Sequence, residues 1–381
     1  MATSVRHAST CASLLAAFVL GCAQAPSAPE PQPEPTIGAR SAPPKADGGD
    51  RNYAVVRTFY ATDRRRTAAA SPREMYGADR GELAYGTVDV SIPRKHTPGE
   101  LESPSIWRLE FREDPERHVV LLAAAALPRE DYFNELGRSV AAAKRPSAFV
   151  FVHGYNTSFE DAARRTAQIS YDVGFEGVPV FYSWPSQGST AGYARDEESI
   201  QLTVPNLRRF LEDFFDRSAA QDIYLVAHSM GNRALTVALA QLIESRPQAR
   251  ARLREVILSA PDINVEIFKE QIYPALAKAG RPITLYASSE DVALAASKQF
   301  HGYARLGDSR PEPVRLKGME TIDATGVDVS FLAHTYFAES SPVLADIRSL
   351  IRNGVRAARR AGLHAVNSGP LPYWAFKRPG G

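Results

Sequence analysis

Ala227-His228-Ser229-Met230-Gly231 places a serine between small residues two positions before and two positions after it. The apolar run Ile223–Ala227 that leads into it has a strand pattern, and an alanine-rich apolar helix begins near Asn232. A serine on so tight a strand-to-helix turn is forced into a strained backbone conformation, and only small flanking residues avoid a clash there. The turn lifts the hydroxyl above a sheet edge at a helix N-terminus, where main-chain N–H groups can stabilise developing negative charge. These are the requirements of a nucleophile for acyl transfer. Alanine at position 227, where glycine is usual, adds one methyl and keeps the pattern.

A second segment supplies what such a nucleophile needs. Val150-Phe151-Val152-His153-Gly154-Tyr155-Asn156 ends another apolar strand in a His-Gly loop, the kind that contributes the second oxyanion donor. The main-chain N–H groups of Tyr155 and Met230 are expected to hold the oxyanion. His153, Gly154, Asn156 and Trp184 are expected around the pocket, with Trp184, Pro185 and the polar segment to about Asp196 overhanging it.

Stepping outward, strand-like runs occur at Tyr53–Ala61, Leu83–Ser91, Ser105–Phe111 and Val119–Ala126, an opening β-rich section. A helix is predicted at about Glu130–Ala143. Short apolar strands then alternate with amphipathic segments: Ala148–His153, Val178–Ser183, Ile223–Ala227, Glu255–Ser259 and Ile283–Ala287. This alternation predicts a mostly parallel sheet covered by helices. Val204, Leu207, Phe210, Leu211 and Phe214 form a helical packing stripe, and Val343 to Val355 form another in a terminal helix begun by Ser341-Pro342. Residues 366–381 read as an irregular tail.

Composition narrows the chemistry. The 381 residues are 44% hydrophobic and 23% charged with a formal net charge of +2, which argues against a nucleic-acid footprint. The run Arg64-Arg65-Arg66 reads as a solvated face. The two cysteines, Cys11 and Cys22, both precede the folded region, which therefore offers no disulfide, thiolate zinc site or cysteine nucleophile. Neither HExxH nor GxxxxGK[ST] occurs, so neither a metal nor a nucleotide cofactor is expected.

Residues 1–21 combine a basic start, a short apolar run from Leu14 to Leu20 and Gly21 before Cys22, the pattern of an export signal. Val19-Leu20-Gly21-Cys22 resembles a bacterial lipobox, which implies that Cys22 is the mature first residue and carries lipid. Residues 22–50, rich in Pro, Ala, Gly and Glu, read as a disordered tether between that anchor and a catalytic domain at 51–365. The resulting expectation is an exported protein, lipid-anchored at a bacterial cell envelope.

Taken together, Phe59-Tyr60-Ala61-Thr62-Asp63-Arg64, His153–Asn156, Phe181-Tyr182-Ser183-Trp184-Pro185, Ala227–Gly231, Ala260-Pro261-Asp262 and the segment around His334 resemble a bacterial subfamily of α/β-hydrolases of unknown function. The resemblance implies an α/β-hydrolase fold, with a mostly parallel central sheet flanked by helices, and an esterase- or lipase-like reaction without a cofactor. Its triad order is serine, acid, histidine. Of the eight histidines, His301, His334 and His364 follow Ser229, and His334, just before the terminal helix, is the expected base. Asp291, after the strand Ile283–Ala287, is the expected acid, with Asp262 as its competitor. A small-molecule or lipid ester is the implied substrate. A hydrolase-fold lipoprotein that has lost catalysis and serves binding or scaffolding is the alternative reading.

Overall fold

Along Ser147–Val152, Ala148, Val150 and Val152 pack into one apolar cluster, while Phe149 and Phe151 pack into another. Ile223, Leu225 and Ala227 alternate with Tyr224 and Val226 in the same way. Side chains on successive strand residues point to opposite faces, so strands apolar at every position need cover on both. The computed structural model describes residues 52–105, 110–189, 192–291, 294, 297, 302–327 and 342–377.

The strands are β1 (Tyr53–Arg66), β2 (Tyr76–Pro93), β3 (Val120–Leu127), β4 (Ser147–Val152), β5 (Val178–Ser183), β6 (Asp222–His228), β7 (Leu253–Ser259), β8 (Ile283–Ala287), β9 (Met319–Asp323), β10 (Leu363–Val366) and β11 (Tyr373–Phe376). Among the described residues they form one sheet in the order β10-β11-β9-β8-β7-β6-β4-β5-β1-β2-β3. Pairing is parallel from β1 through β9 to β11, and antiparallel in β1–β2, β2–β3 and β10–β11. The opening β-rich section thus extends one edge of the main sheet.

Helices α1 (Arg129–Ala142), α3 (Tyr193–Arg217) and α4 (Gly231–Ser245) bury Leu136, Phe210 and Leu239 against one face. The short α5 (Val265–Ile267) leads into a π-helical turn at Phe268–Ile272 and α6 (Tyr273–Ala277), which join them there through Phe268, Ile272 and Leu276. Helices α2 (Phe159–Asp172) and α7 (Pro342–Asn353) cover the other face with Phe159, Ala163, Val343 and Ile347. Chain order reverses at β4, which lies between β5 and β6. In open α/β sheets the crevice outside the strand carboxyl ends at such a switch point is where ligands bind.

Three expectations need correction. Ser105 and Glu110 belong to no strand; Glu110 N–H donates to Ser105 O at 3.0 Å, closing a loop instead of extending a ladder. Residues 106–109 of that predicted strand lie outside the described residues. The tail is not irregular throughout, because β11 pairs with β9 (Trp374 with Ile322) and carries β10 as an antiparallel edge. Helix α7 is therefore not the last element. Residues 1–51, which hold Cys22 and the signal and tether readings, also lie outside the described residues.

Candidate active site

Ser229 follows β6 directly and sits at φ +47°, in the left-handed region that a non-glycine residue avoids at a cost of about 1–3 kcal/mol. The neighbouring backbone holds it there. Its N–H donates to Ser259 O at 3.0 Å, and its carbonyl accepts from Asn232 N at 3.2 Å, Asn232 Nδ2 at 2.9 Å and Asp262 N at 3.2 Å. Asn232 Nδ2 also reaches Ser259 O at 3.1 Å, so one buried amide ties the ends of β6 and β7 together. Ala260, at the matching position after β7, is also left-handed at φ +43°.

The small residues have a steric reason. A Cβ on Gly231 would stand 2.3 Å from His153 O, and one on Gly154 would stand 2.9 Å from His228 Nδ1 and 3.1 Å from Ser229 Cβ. The loop after β4 therefore lies directly against the serine turn. Among the described residues the N–H groups of Tyr155 and Met230 make no hydrogen bond within the protein, as an oxyanion site requires. Met230 opens α4 at its N-terminus.

The loop 153–158 is rigidly held. Ser158 caps α2 in a reciprocal box with Asp161: Asp161 N donates to Ser158 Oγ at 3.1 Å, and Ser158 N donates to Asp161 Oδ2 at 3.1 Å. Asn156 adopts φ +54°, with its N–H on Asp196 Oδ2 at 3.3 Å. Asp196 Oδ2 also accepts from Ser186 Oγ at 2.6 Å, and Oδ1 from Gln187 N at 2.8 Å. Burial raises the Asp196 carboxyl above its ordinary range against these hydrogen bonds.

His153 and Trp184 do not line an open pocket; both are buried. Their rings stack at 5.1 Å and 11°, and Trp184 Nε1 donates to His153 O at 2.8 Å. Burial, with Arg64 adding to it, lowers the His153 imidazole to about 3, so it is neutral at physiological pH. Pro185 and Ser186 are buried as well, and α3 begins at Tyr193. The segment after β5 is thus pinned down at its start, with Gln187–Ser189 reaching the surface and residues 190–191 outside the described residues.

The Arg64 reading also changes. Register shifts in β1 between Thr62 and Arg64 and between Arg64 and Arg66 break the strand alternation and turn Arg64 inward, to 2% exposure. Its guanidinium donates to Ser183 Oγ at 2.8 Å, Gly77 O at 3.1 Å, Ser186 O at 2.9 Å and Thr157 O at 2.6 Å. It therefore braces the two loops that flank the serine. Arg65 and Arg66 are exposed, as expected.

The two candidate acids have different surroundings. Asp262 is buried in a network: Oδ2 accepts from Tyr193 Oη at 2.7 Å and Arg233 Nη2 at 2.9 Å, while Oδ1 accepts from Ser297 Oγ at 2.7 Å and lies 3.2 Å from Arg305 Nε. Asp291 follows β8 and accepts from Leu294 N at 2.9 Å. The Tyr155 phenol is raised first by burial and then by the carboxylates of Asp291, Asp262 and Asp196. His334 lies outside the described residues. Among the described residues no group of three or more His, Cys, Asp or Glu could hold a metal ion.

Asn232, Asp196, Arg233, Arg305 and Tyr193 were not singled out by the sequence reading. A buried polar residue in the first turn after a nucleophilic serine was the available signal for Asn232. The others are set by tertiary contacts.

A mostly parallel sheet with helices on both faces and a left-handed serine at the strand-to-helix junction of its switch point defines an α/β-hydrolase. Residues 130–353, more than half of the chain, match the family described as alpha/beta hydrolase of unknown function (DUF900), and the protein belongs to that family. This bears out the resemblance drawn from the motifs. Comparison with curated proteins gave no match. Among solved structures, the chain is similar to a predicted CIB-like hydrolase from Thermoplasma acidophilum (15% identity over 56% of this chain and 88% of that one, TM-score 0.33). It is also similar to Est1E from Butyrivibrio proteoclasticus (13% identity, 56% and 87%, TM-score 0.32) and to esterase B from Lactobacillus rhamnosis (10% identity, 78% and 86%, TM-score 0.31).

Proposed function

We propose that this protein is a serine hydrolase that cleaves carboxylic esters, with thioesters and lipid esters in the same range, through an acyl-enzyme. Ser229 attacks the carbonyl, and the N–H groups of Tyr155 and Met230 receive the oxyanion. His334 takes the serine proton and returns it to the leaving group. Asp291 orients His334 and stabilises its charged form, and water then releases the acyl group. The observation that carries this reading is the left-handed Ser229, fixed through both its main-chain groups between two loops whose N–H donors are unspent.

Asp291 is preferred as the acid because Asp262 is already engaged by two arginines and two hydroxyls. A carboxylate so neutralised is a poor partner for an imidazolium. The lipobox-like Val19-Leu20-Gly21-Cys22 supports anchoring of the mature chain at the cell envelope through lipid on Cys22. Among the described residues no helix is long and apolar enough to cross a membrane.

Hydrolysis of p-nitrophenyl esters of increasing chain length tests the chemistry. Ser229→Ala and His334→Ala are expected to lower kcat/KM by about 10³-fold or more. Wild-type protein inert toward every ester, thioester and lipid ester tried would favour the binding or scaffolding alternative. For the anchor, Cys22→Ser is expected to move the protein from the membrane fraction to the soluble one, and its retention in the membrane would overturn that assignment.

A further inference from the structure

A concave region of about 630 Å³ opens where β1 and β2 leave the sheet, within the size range of small-molecule sites. It is lined by Arg64, Arg65, Arg66, Arg129 and Arg209, with Glu82 as the acidic member. Its walls are Tyr76, Leu83, Tyr85, Leu127 and Pro128. β1 lies three strand positions from β6 on the same carboxyl edge, so roughly 14 Å of sheet separates this cavity from Ser229.

The arginines differ in how far their charge is met. Arg129 is paired with Asp213 and Glu130, and Arg65 lies 3.9 Å from Asp79. Arg66 and Arg209 are exposed and have no carboxylate within 4.0 Å among the described residues. Arg64 is buried, spends its donors on four neutral oxygens and has its charge offset by the nearby carboxylates of Asp63, Asp196 and Asp161, so it offers the cavity no free charge. Arg66 and Arg209 therefore bring two uncompensated guanidinium charges to the cavity, one for each charge of a phosphomonoester dianion, with Glu82 opposing them. Guanidinium is suited to phosphate through paired N–H donors, and Arg66 and Arg209 have theirs available.

We propose that this cavity binds a phosphomonoester carrying an apolar group, with Arg66 and Arg209 on the phosphate and the Tyr76, Leu83, Tyr85 and Leu127 wall against the apolar part. The site does not depend on the acyl-transfer reading, since binding is measured without turnover.

Titration calorimetry on the full chain with inorganic phosphate, phenyl phosphate and dihexanoyl phosphatidate tests it. Phenyl phosphate is expected to bind saturably and at least tenfold more tightly than inorganic phosphate. Phosphatidate binding tighter still would identify a lipid as the source of the phosphate; equal or weaker binding would identify a soluble ester. The double variant Arg66→Ala/Arg209→Ala is expected to weaken phenyl phosphate at least tenfold. Glu82→Gln is expected to tighten it, a gain that misfolding cannot produce. Absence of saturable binding, or affinity unchanged in the double and Glu82→Gln variants, would overturn the proposal.

Discussion

The side-chain amide of Asn232 donates to the main-chain oxygen of Ser229 at 2.9 Å, from a position with no exposure to solvent. That contact, shared with Ser259 O, holds a residue the backbone would otherwise relax. Asn232→Ala removes one donor from each of two buried carbonyls that keep their main-chain donors, and at about 0.5–1.5 kcal/mol per hydrogen bond is expected to cost about 1–3 kcal/mol. Activity should fall by more than the folded fraction explains, because the hydroxyl loses its direction. Denaturant unfolding together with ester turnover of the folded protein checks both parts.

Gly154 is set by contact distance. Gly154→Ala drives a methyl toward His228 and Ser229, so the His-Gly loop must retreat and carry the Tyr155 N–H with it. The expected result is a fall in kcat of about 10²-fold or more, the loss known for a missing oxyanion donor, with KM much less affected. An equal loss confined to KM would contradict this placement.

The two carboxylates should separate in a matched pair of variants. Asp262→Asn removes the charge facing Arg233 and Arg305 and is expected mainly to destabilise, by about 3 kcal/mol or more. Asp291→Asn is expected to lower kcat by orders of magnitude with a much smaller change in unfolding free energy. The reversed pattern would transfer the acid role to Asp262.

Arg64 joins Thr157, Ser183 and Ser186 through one guanidinium. Arg64→Met should destabilise by about 3 kcal/mol or more by orphaning buried acceptors. Arg64→Lys should not restore it, since a single ammonium cannot span acceptors on separate loops. Chemical unfolding of both variants reads this directly.

A pH-dependent clamp lies far from the serine. The His96 imidazole, 2% exposed, has Nδ1 2.8 Å from Glu102 Oε2 and Nε2 2.8 Å from Asp172 Oδ1 on α2. Burial opposes its charge, but Asp172 and Glu102 outweigh burial and raise it to about 9. A histidine raised on folding stabilises fully below its unfolded value near 6.5, and that contribution is lost as pH rises through about 9. The difference in Tm between wild type and His96→Gln should therefore be largest below pH 6.5 and shrink towards pH 10. A difference that is constant over this range would show the ring to be uncharged in the clamp.

The serine turn and the central strands were readable because their causes are local. The small–x–Ser–x–small spacing lies within five consecutive residues, although the contact that excludes a side chain at Gly231 is with His153 O of the loop after β4, and uninterrupted apolar runs report burial on two faces. Val178–Ser183 and Ile283–Ala287 are found with the predicted bounds. Arg64 does not share the solvated face expected of the run Arg64-Arg65-Arg66, because bulges in β1 turn its first member inward and a run of like charges carries no sign of them. β9 was missed because Met319–Asp323 interrupts its apolar residues with Glu320, Thr321 and Asp323, and β10 and β11 because strands of 4 residues carry too short a signal. The Asp262 network was hidden for another reason: Tyr193, Arg233, Ser297 and Arg305 come from four separate segments.

The most direct test is the mass of the protein after exposure to a fluorophosphonate, with peptide mapping of the adduct. A single phosphonyl addition is expected on the peptide containing Ser229, absent from Ser229→Ala. Labelling that persists in Ser229→Ala, or folded wild-type protein that takes no label, would contradict it.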